Sequence, residues 1–135
     1  PNLIERIEAG LLSYGNDMSI GDTPFESGLG KYCNLDTATG CLGHAALMHK
    51  QNPGRQIRPL AVAGPAVPPI TWSWPLTNTA GDTAGHVSSI TWSPDFEINV
   101  AIGMVHKDHW TAGTTLHVQT PGGPRAAEVR DSFWI

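Results

Sequence analysis

The spacing of apolar positions changes once along this chain, and the change divides it. Over residues 2–13, Ile4, Ile7, Leu11 and Leu12 recur at intervals of three and four, with Glu5, Arg6 and Glu8 on other faces. That is the period of a helix with one buried stripe. Asn2 is suited to cap its start, and Glu5 three residues later completes a capping box. Gly15 is the expected left-handed stop. Residues 16–40 carry no period and are punctuated by Gly21, Pro24, Gly28, Gly30 and Gly40. Irregular crossings of this length are uncommon in compact domains and often functional. A second helix is expected over 41–51, with Leu42, Ala45, Ala46 and Leu47 as its stripe and Asn52-Pro53-Gly54 as its stop.

From Gln56 the period shortens to two, and strands are expected at 56–63, 73–78, 84–92, 98–106, 114–120 and 125–131. Pro59 and Pro75 fall inside the first two, which makes those edge strands on the pattern alone. Gly64 to Pro69, with three prolines, reads as a rigid connector, and Pro121-Gly122-Gly123-Pro124 as a hairpin turn. Six strands at this spacing predict a six-stranded antiparallel β-barrel or jelly roll, which removes or shortens exposed edges. The fold class is therefore α+β, a short helical segment followed by a barrel.

Composition narrows the partners. At 135 residues, with 40% hydrophobic and 15% charged residues, the chain suits one ordered domain that buries roughly two-thirds of its unfolded surface. A net charge of −4 with eight Lys and Arg argues against nucleic acid. No apolar run reaches the roughly 18 residues of a membrane span. Cys33 and Cys41 are a lone pair eight positions apart, too few for a disulfide framework. Reduced thiols in a cytoplasmic protein are the expectation.

Several motifs carry more than periodicity does. Arg6-Ile7-Glu8-Ala9-Gly10-Leu11 runs into Tyr14-Gly15-Asn16-Asp17, and then into Thr23-Pro24-Phe25-Glu26-Ser27-Gly28-Leu29. Further on stand Gly43-His44-Ala45-Ala46-Leu47, Gly85-His86-Val87-Ser88-Ser89 with Ser93-Pro94, and Asn99-Val100-Ala101-Ile102-Gly103-Met104-Val105. In this order and at these gaps they resemble the glycine-cleavage T-protein (aminomethyltransferase) family, across nearly the whole chain. The resemblance implies a tetrahydrofolate-dependent transferase that passes a methyl or aminomethyl group from a small-molecule donor to the pterin. In the family these motifs lie past the middle of the polypeptide, and this chain opens at Pro1 without an initiator Met. The expectation is the carboxy-terminal portion of a longer protein: residues 1–54 end its folate-binding domain, and 55–135 form the C-terminal barrel. The remainder of the parent chain is then the principal partner.

The same resemblance limits what the chain should do alone. The family's working carboxylates belong to upstream segments with no counterpart here, so no catalytic residue is expected in this chain. Where aminomethyltransferases often carry Arg four residues before Arg6, this chain has Asn2. With the Trp72-Ser73-Trp74-Pro75 strand and Ser93-Pro94-Asp95-Phe96, that departure resembles a demethylase-like branch acting on dimethylsulfoniopropionate. Tyr14 and Glu26 are the candidate cofactor-binding residues, Tyr14 to place a hydroxyl or stack a ring and Glu26 to hold the crossing loop. Asp17 is a weaker candidate. Arg6 is expected to pair with Glu5, Glu8 or Asp17.

Other clusters read as structure. His106-Lys107-Asp108-His109 offers two imidazoles, short of the three or four ligands zinc takes, and no metal is expected. His86 and His117 are expected on the solvent face of strands, with Val87 and Val118 inward. The five Trp residues are expected to plug the barrel and its junction with the missing part. Two other readings remain open: a non-catalytic binding or scaffold module that kept the barrel, and a carbohydrate-binding barrel using Trp72, Trp74 and Trp92.

Overall fold

The structure, a computed structural model, describes residues 2–135; Pro1 lies outside the described residues. Helix α1 spans Leu3–Glu8. Its start follows the pattern: the Asn2 side chain accepts the Glu5 N–H at 3.0 Å, and the Glu5 carboxylate accepts the Asn2 N–H at 3.2 Å. Its end does not. Gly10, at φ +68°, turns the chain five residues before Gly15. The Gly10 N–H then bonds the Ile7 carbonyl and the Leu11 N–H bonds that of Arg6, the paired closure of a Schellman motif. Phe133 packs so closely that a β-carbon at Gly10 would overlap its ring, so no other residue fits there.

The crossing loop holds one short 3₁₀ turn, Gly30–Tyr32. Helix α2 is only His44–Met48, shorter than the expected 41–51. None of its residues is buried, so its apolar stripe has no surface to extend against, and a helix this short is marginal without one.

Six strands follow: β1 Arg55–Val62, β2 Trp74–Thr77, β3 Thr83–Ser93, β4 Ile98–His106, β5 Thr115–Thr120 and β6 Gly123–Val129. They close into an antiparallel barrel in the order β1-β4-β3-β2-β5-β6. Neither β1 nor β2 is an edge, contrary to the expectation from their prolines. Pro59 pairs with Ile102 of β4, but the ladder to β6 begins at Leu60. Likewise Pro75 pairs with His86 of β3, and the ladder to β5 begins at Leu76. Each proline thus stands one residue outside the second ladder, where its missing N–H is not needed. Pro121 and Gly122 join β5 to β6, and Thr120 Oγ1 donates to the Gly123 carbonyl at 2.6 Å.

The barrel interior is filled by Leu60, Val62, Trp74, Leu76, Val87, Ile90, Leu116, Val118 and Val129, all essentially inaccessible. A second cluster lies outside the wall, where Ile7 of α1 packs on Ile57, Val100, Ile102 and Met104. This double cover explains why β4 is buried on both faces from Asn99 to Val105 and reads as a continuous apolar run. Of the five tryptophans only Trp74 lies in the core; Trp72 is exposed, and Trp92, Trp110 and Trp134 are half-buried. One indole and a set of aliphatic side chains fill so small a barrel. Cys33 and Cys41 are free thiols. Among the described residues no helix is long and apolar enough to cross a membrane.

Candidate functional site

Chemistry-bearing residues gather where α1 and the crossing loop lie against β3. The strand provides the landing point. The β3–β4 register slips between Val87 and Ser89, leaving Ser88 as an extra residue in a β-bulge. A bulge re-aims side chains, and here it turns two consecutive serines to one partner. Ser88 and Ser89 both donate to Asp17 Oδ1, each at 2.6 Å.

The other oxygen of Asp17 accepts the Arg6 guanidinium at 2.7 Å and the Ser13 N–H at 2.8 Å. Arg6 also donates to Ser89 Oγ at 2.7 Å and to the Leu11 carbonyl at 2.8 Å. Asn16 bonds Ser89 Oγ at 2.8 Å and the Ser88 carbonyl at 3.1 Å. The Asp17 side chain has no accessible surface. Burial alone would raise its pKa, but the Ser88, Ser89, Ser13 and Arg6 hydrogen bonds together hold it below its ordinary value. A carboxylate so fully engaged is a fastener. Of the three partners open to Arg6, the fold selects Asp17.

A second knot fixes the loop further along. Arg55 donates to Asp22 through Nη2 and to Glu26 through Nε, each at 2.9 Å. Glu26 also accepts the Thr23 N–H at 2.7 Å, and Thr23 Oγ1 accepts the Glu26 N–H at 3.2 Å. Burial opposes ionisation of Glu26, but the Thr23 and Arg55 contacts win and hold its pKa below the usual carboxylate range.

Between the two knots lies an open cleft of about 280 Å³, lined by residues including Asn16, Asp17, Asp22, Arg55, His86 and Met104. His86 is half-buried there rather than on a solvent face. Burial, with Arg55 nearby, keeps its imidazole below the ordinary pKa and therefore neutral at pH 7. Tyr14, 69% exposed, immediately precedes the lining residue Gly15, next to the turn closed by the Gly15 N–H on the Met18 carbonyl at 2.7 Å. Of the three sequence candidates, Asp17 lines the cleft, Tyr14 stands one residue before its lining, and Glu26 lies outside the lining, bonded to Arg55. Arg55, His86 and the serine pair are site residues that the sequence alone does not single out, although His86, Ser88 and Ser89 sit inside the Gly85–Ser89 motif.

A small closed barrel with a helix-and-loop arm fastened to the outer face of β3 and β4 is the class of protein that this geometry defines. Residues 55–134 match the glycine cleavage T-protein C-terminal barrel domain. The chain belongs to that family. It is 50% identical over 136 residues to the dimethylsulfoniopropionate demethylase DmdA of Ruegeria pomeroyi, covering 99% of this chain and 36% of that protein. An aminomethyltransferase of Prochlorococcus marinus is 33% identical over 132 residues, covering 96% of this chain and 34% of the relative. Among solved structures, the glycine cleavage system aminomethyltransferase T of Bartonella henselae superposes with a TM-score of 0.83 at 26% identity, covering 96% of this chain and 37% of that one. The chain thus spans about a third of the length of the relatives it matches.

Proposed function

We propose that this chain is the C-terminal part of a tetrahydrofolate-dependent one-carbon transferase of the demethylase-like branch. The observation that carries the reading is the contrast in likeness: 50% identity to a dimethylsulfoniopropionate demethylase against 33% to an aminomethyltransferase, each over nearly the whole chain. In such a reaction the S-methyl group of a sulfonium acid passes to N5 of the pterin, a proton leaves the nitrogen, and a thioether remains.

Within this reading the chain divides at Gly54. Residues 1–54 end the folate-binding domain, and 55–135 form the barrel; the family match beginning at residue 55 supports that division. The fit of the described residues to tetrahydrofolate is partial. Tyr14 has an open ring and is available to touch the cofactor, which would supply the accepting nitrogen. Glu26 has both oxygens committed to Arg55 and Thr23, so it acts as a positioning residue for the crossing loop. Asp17 is likewise committed. No carboxylate of these motifs is left to move a proton, and the chain alone does not turn over. The small-molecule donor and the working acids meet it in the remainder of the parent chain, in the cytoplasm.

The test supplies the polypeptide that carries this chain with dimethylsulfoniopropionate and tetrahydrofolate, and follows methyltetrahydrofolate and the thioether acid by mass spectrometry. Both products should form together. Transfer from an aminomethyl donor alone would move the chain to the other branch, and no transfer from either would end the reading.

A further inference from the structure

The arginines of this chain fall into different kinds. Arg6 and Arg55 are gripped by carboxylates. Arg58 and Arg130 have no ion pair among the described residues. Each instead lies over an indole, Arg58 at 5.4 Å from the Trp110 ring centre and Arg130 at 4.7 Å from that of Trp134. A backbone carbonyl takes each Nε: that of Trp110 at 3.1 Å from Arg58, and that of Ser132 at 3.3 Å from Arg130. Stacking and the Nε bond fix the plane of each guanidinium. Among the described residues the Nη ends of both are left without a hydrogen-bond acceptor.

These two prepared forks face one space. Arg58 lies on β1 and Arg130 just beyond β6, joined where the Arg130 N–H bonds the Pro59 carbonyl at 2.9 Å. Both line a pocket of about 230 Å³ with Trp110, Thr111, Ala112 and Asp131. Asp131 is exposed and accepts from Ser132 Oγ at 3.3 Å. One carboxylate against two guanidiniums leaves one positive charge uncompensated. Burial already works against the Arg58 cation, lowering its pKa. An oxyanion relieves both and finds a bidentate donor edge ready. The volume falls below the roughly 300 Å³ at which whole drug-sized ligands are held, so the pocket suits one acidic group.

We propose that Arg58 and Arg130 form a carboxylate-binding pocket, which takes the single carboxylate of a small organic acid or the acidic end of a larger ligand. It does not depend on the folate reading. The test follows the indole N–H signals of Trp110 and Trp134 by NMR, titrating the chain with propionate, 4-aminobenzoylglutamate or inorganic phosphate at constant ionic strength. Saturable shifts are expected with a carboxylate. Propionate binding as tightly as 4-aminobenzoylglutamate identifies a small-acid site, and binding of the latter alone identifies the end of a larger ligand. Arg130→Gln, and independently Arg58→Lys with the charge kept and the fork lost, should each weaken binding about tenfold, the worth of one charge-assisted pair. Unchanged barrel amide signals certify each variant as folded. Tighter binding of phosphate, no saturation by either carboxylate, or equal binding in a folded Arg130→Gln chain would overturn the proposal.

Discussion

Replacing Asp17 by Ala tests whether the arm is fastened to the barrel as the geometry says. The substitution removes the acceptor for Ser88, Ser89, the Ser13 N–H and Arg6. It leaves a guanidinium whose side chain is 18% exposed with only Ser89 Oγ and the Leu11 carbonyl. Breaking one partner out of a buried pair costs about 3–5 kcal/mol. Water entering beside the exposed part of Arg6 offsets some of this, so about 3 kcal/mol is expected, against a total of roughly 5–15 kcal/mol for a domain. Asp17→Asn should cost nearly as much, because its amide places a donor against the Ser13 and Arg6 donors. Urea unfolding followed by tryptophan fluorescence reads both; with a slope of about 1–3 kcal/mol per molar, the midpoint should fall by about 1–3 M. Acid should act on the same bonds. The folded pKa of Asp17 lies below its unfolded value, so its contribution is whole above the unfolded pKa and is lost as pH falls through the folded one. A loss under about 1 kcal/mol in both variants would equate the knot with an exposed ion pair and refute the reasoning.

Three further outcomes follow from single contacts. Gly85→Ala should cost more than about 3 kcal/mol in thermal melts, since Gly85 has φ +143° and a β-carbon there would fall on the Met104 carbonyl oxygen. Asn99→Ala should cost about 2–3 kcal/mol and speed amide exchange in the 63–69 connector; Asn99 is fully buried, donates to the Val62, Gly64 and Pro65 carbonyls and accepts the Val67 N–H at 3.0 Å. Burial depresses the folded pKa of His86, so its contribution is present above the unfolded pKa near 6.5 and is lost as pH falls toward the folded one. The melting temperature of His86→Gln should therefore drop less than that of the parent between pH 7.5 and 5.5, and parallel curves would count against it.

The strands were legible in the sequence because each carries its own signal. Pattern alone bounds β4 at 98–106 and the other five within two residues, since turn residues flank each strand. The helices were less legible. The stripe over Ile4, Ile7, Leu11 and Leu12 continues past the helix end, because Gly10 stops the chain by docking on Phe133, a partner more than a hundred residues away. Propensity cannot register a contact of that range. The edge assignment failed for a related reason: a proline marks an absent ladder bond, but only the closed sheet reveals that the neighbouring ladder starts one residue later.

The site was partly legible. Motif resemblance drew attention to Arg6, Tyr14, Asp17 and Glu26, yet their roles depend on residues that no local pattern selects. Asp17 reads as one of three possible partners of Arg6, and only the bulge at Ser88 shows that two hydroxyls also converge on it. Glu8 looks like the polar face of α1 until Ser93 Oγ donates to it at 2.6 Å and the Trp134 N–H binds its carbonyl at 2.9 Å. These fastenings land on β3 or on the tail beyond β6, on either side of the apolar cluster that Ile7 makes with β4. The apolar contact alone would let the arm slide, because burial has no direction. The buried polar bonds carry the register. They admit one position of α1 on the barrel, and that position sets where Tyr14 stands relative to the cleft. Glu26, expected to hold the crossing loop, and Asp17, the weaker cleft candidate, are therefore both engaged in fixing the arm.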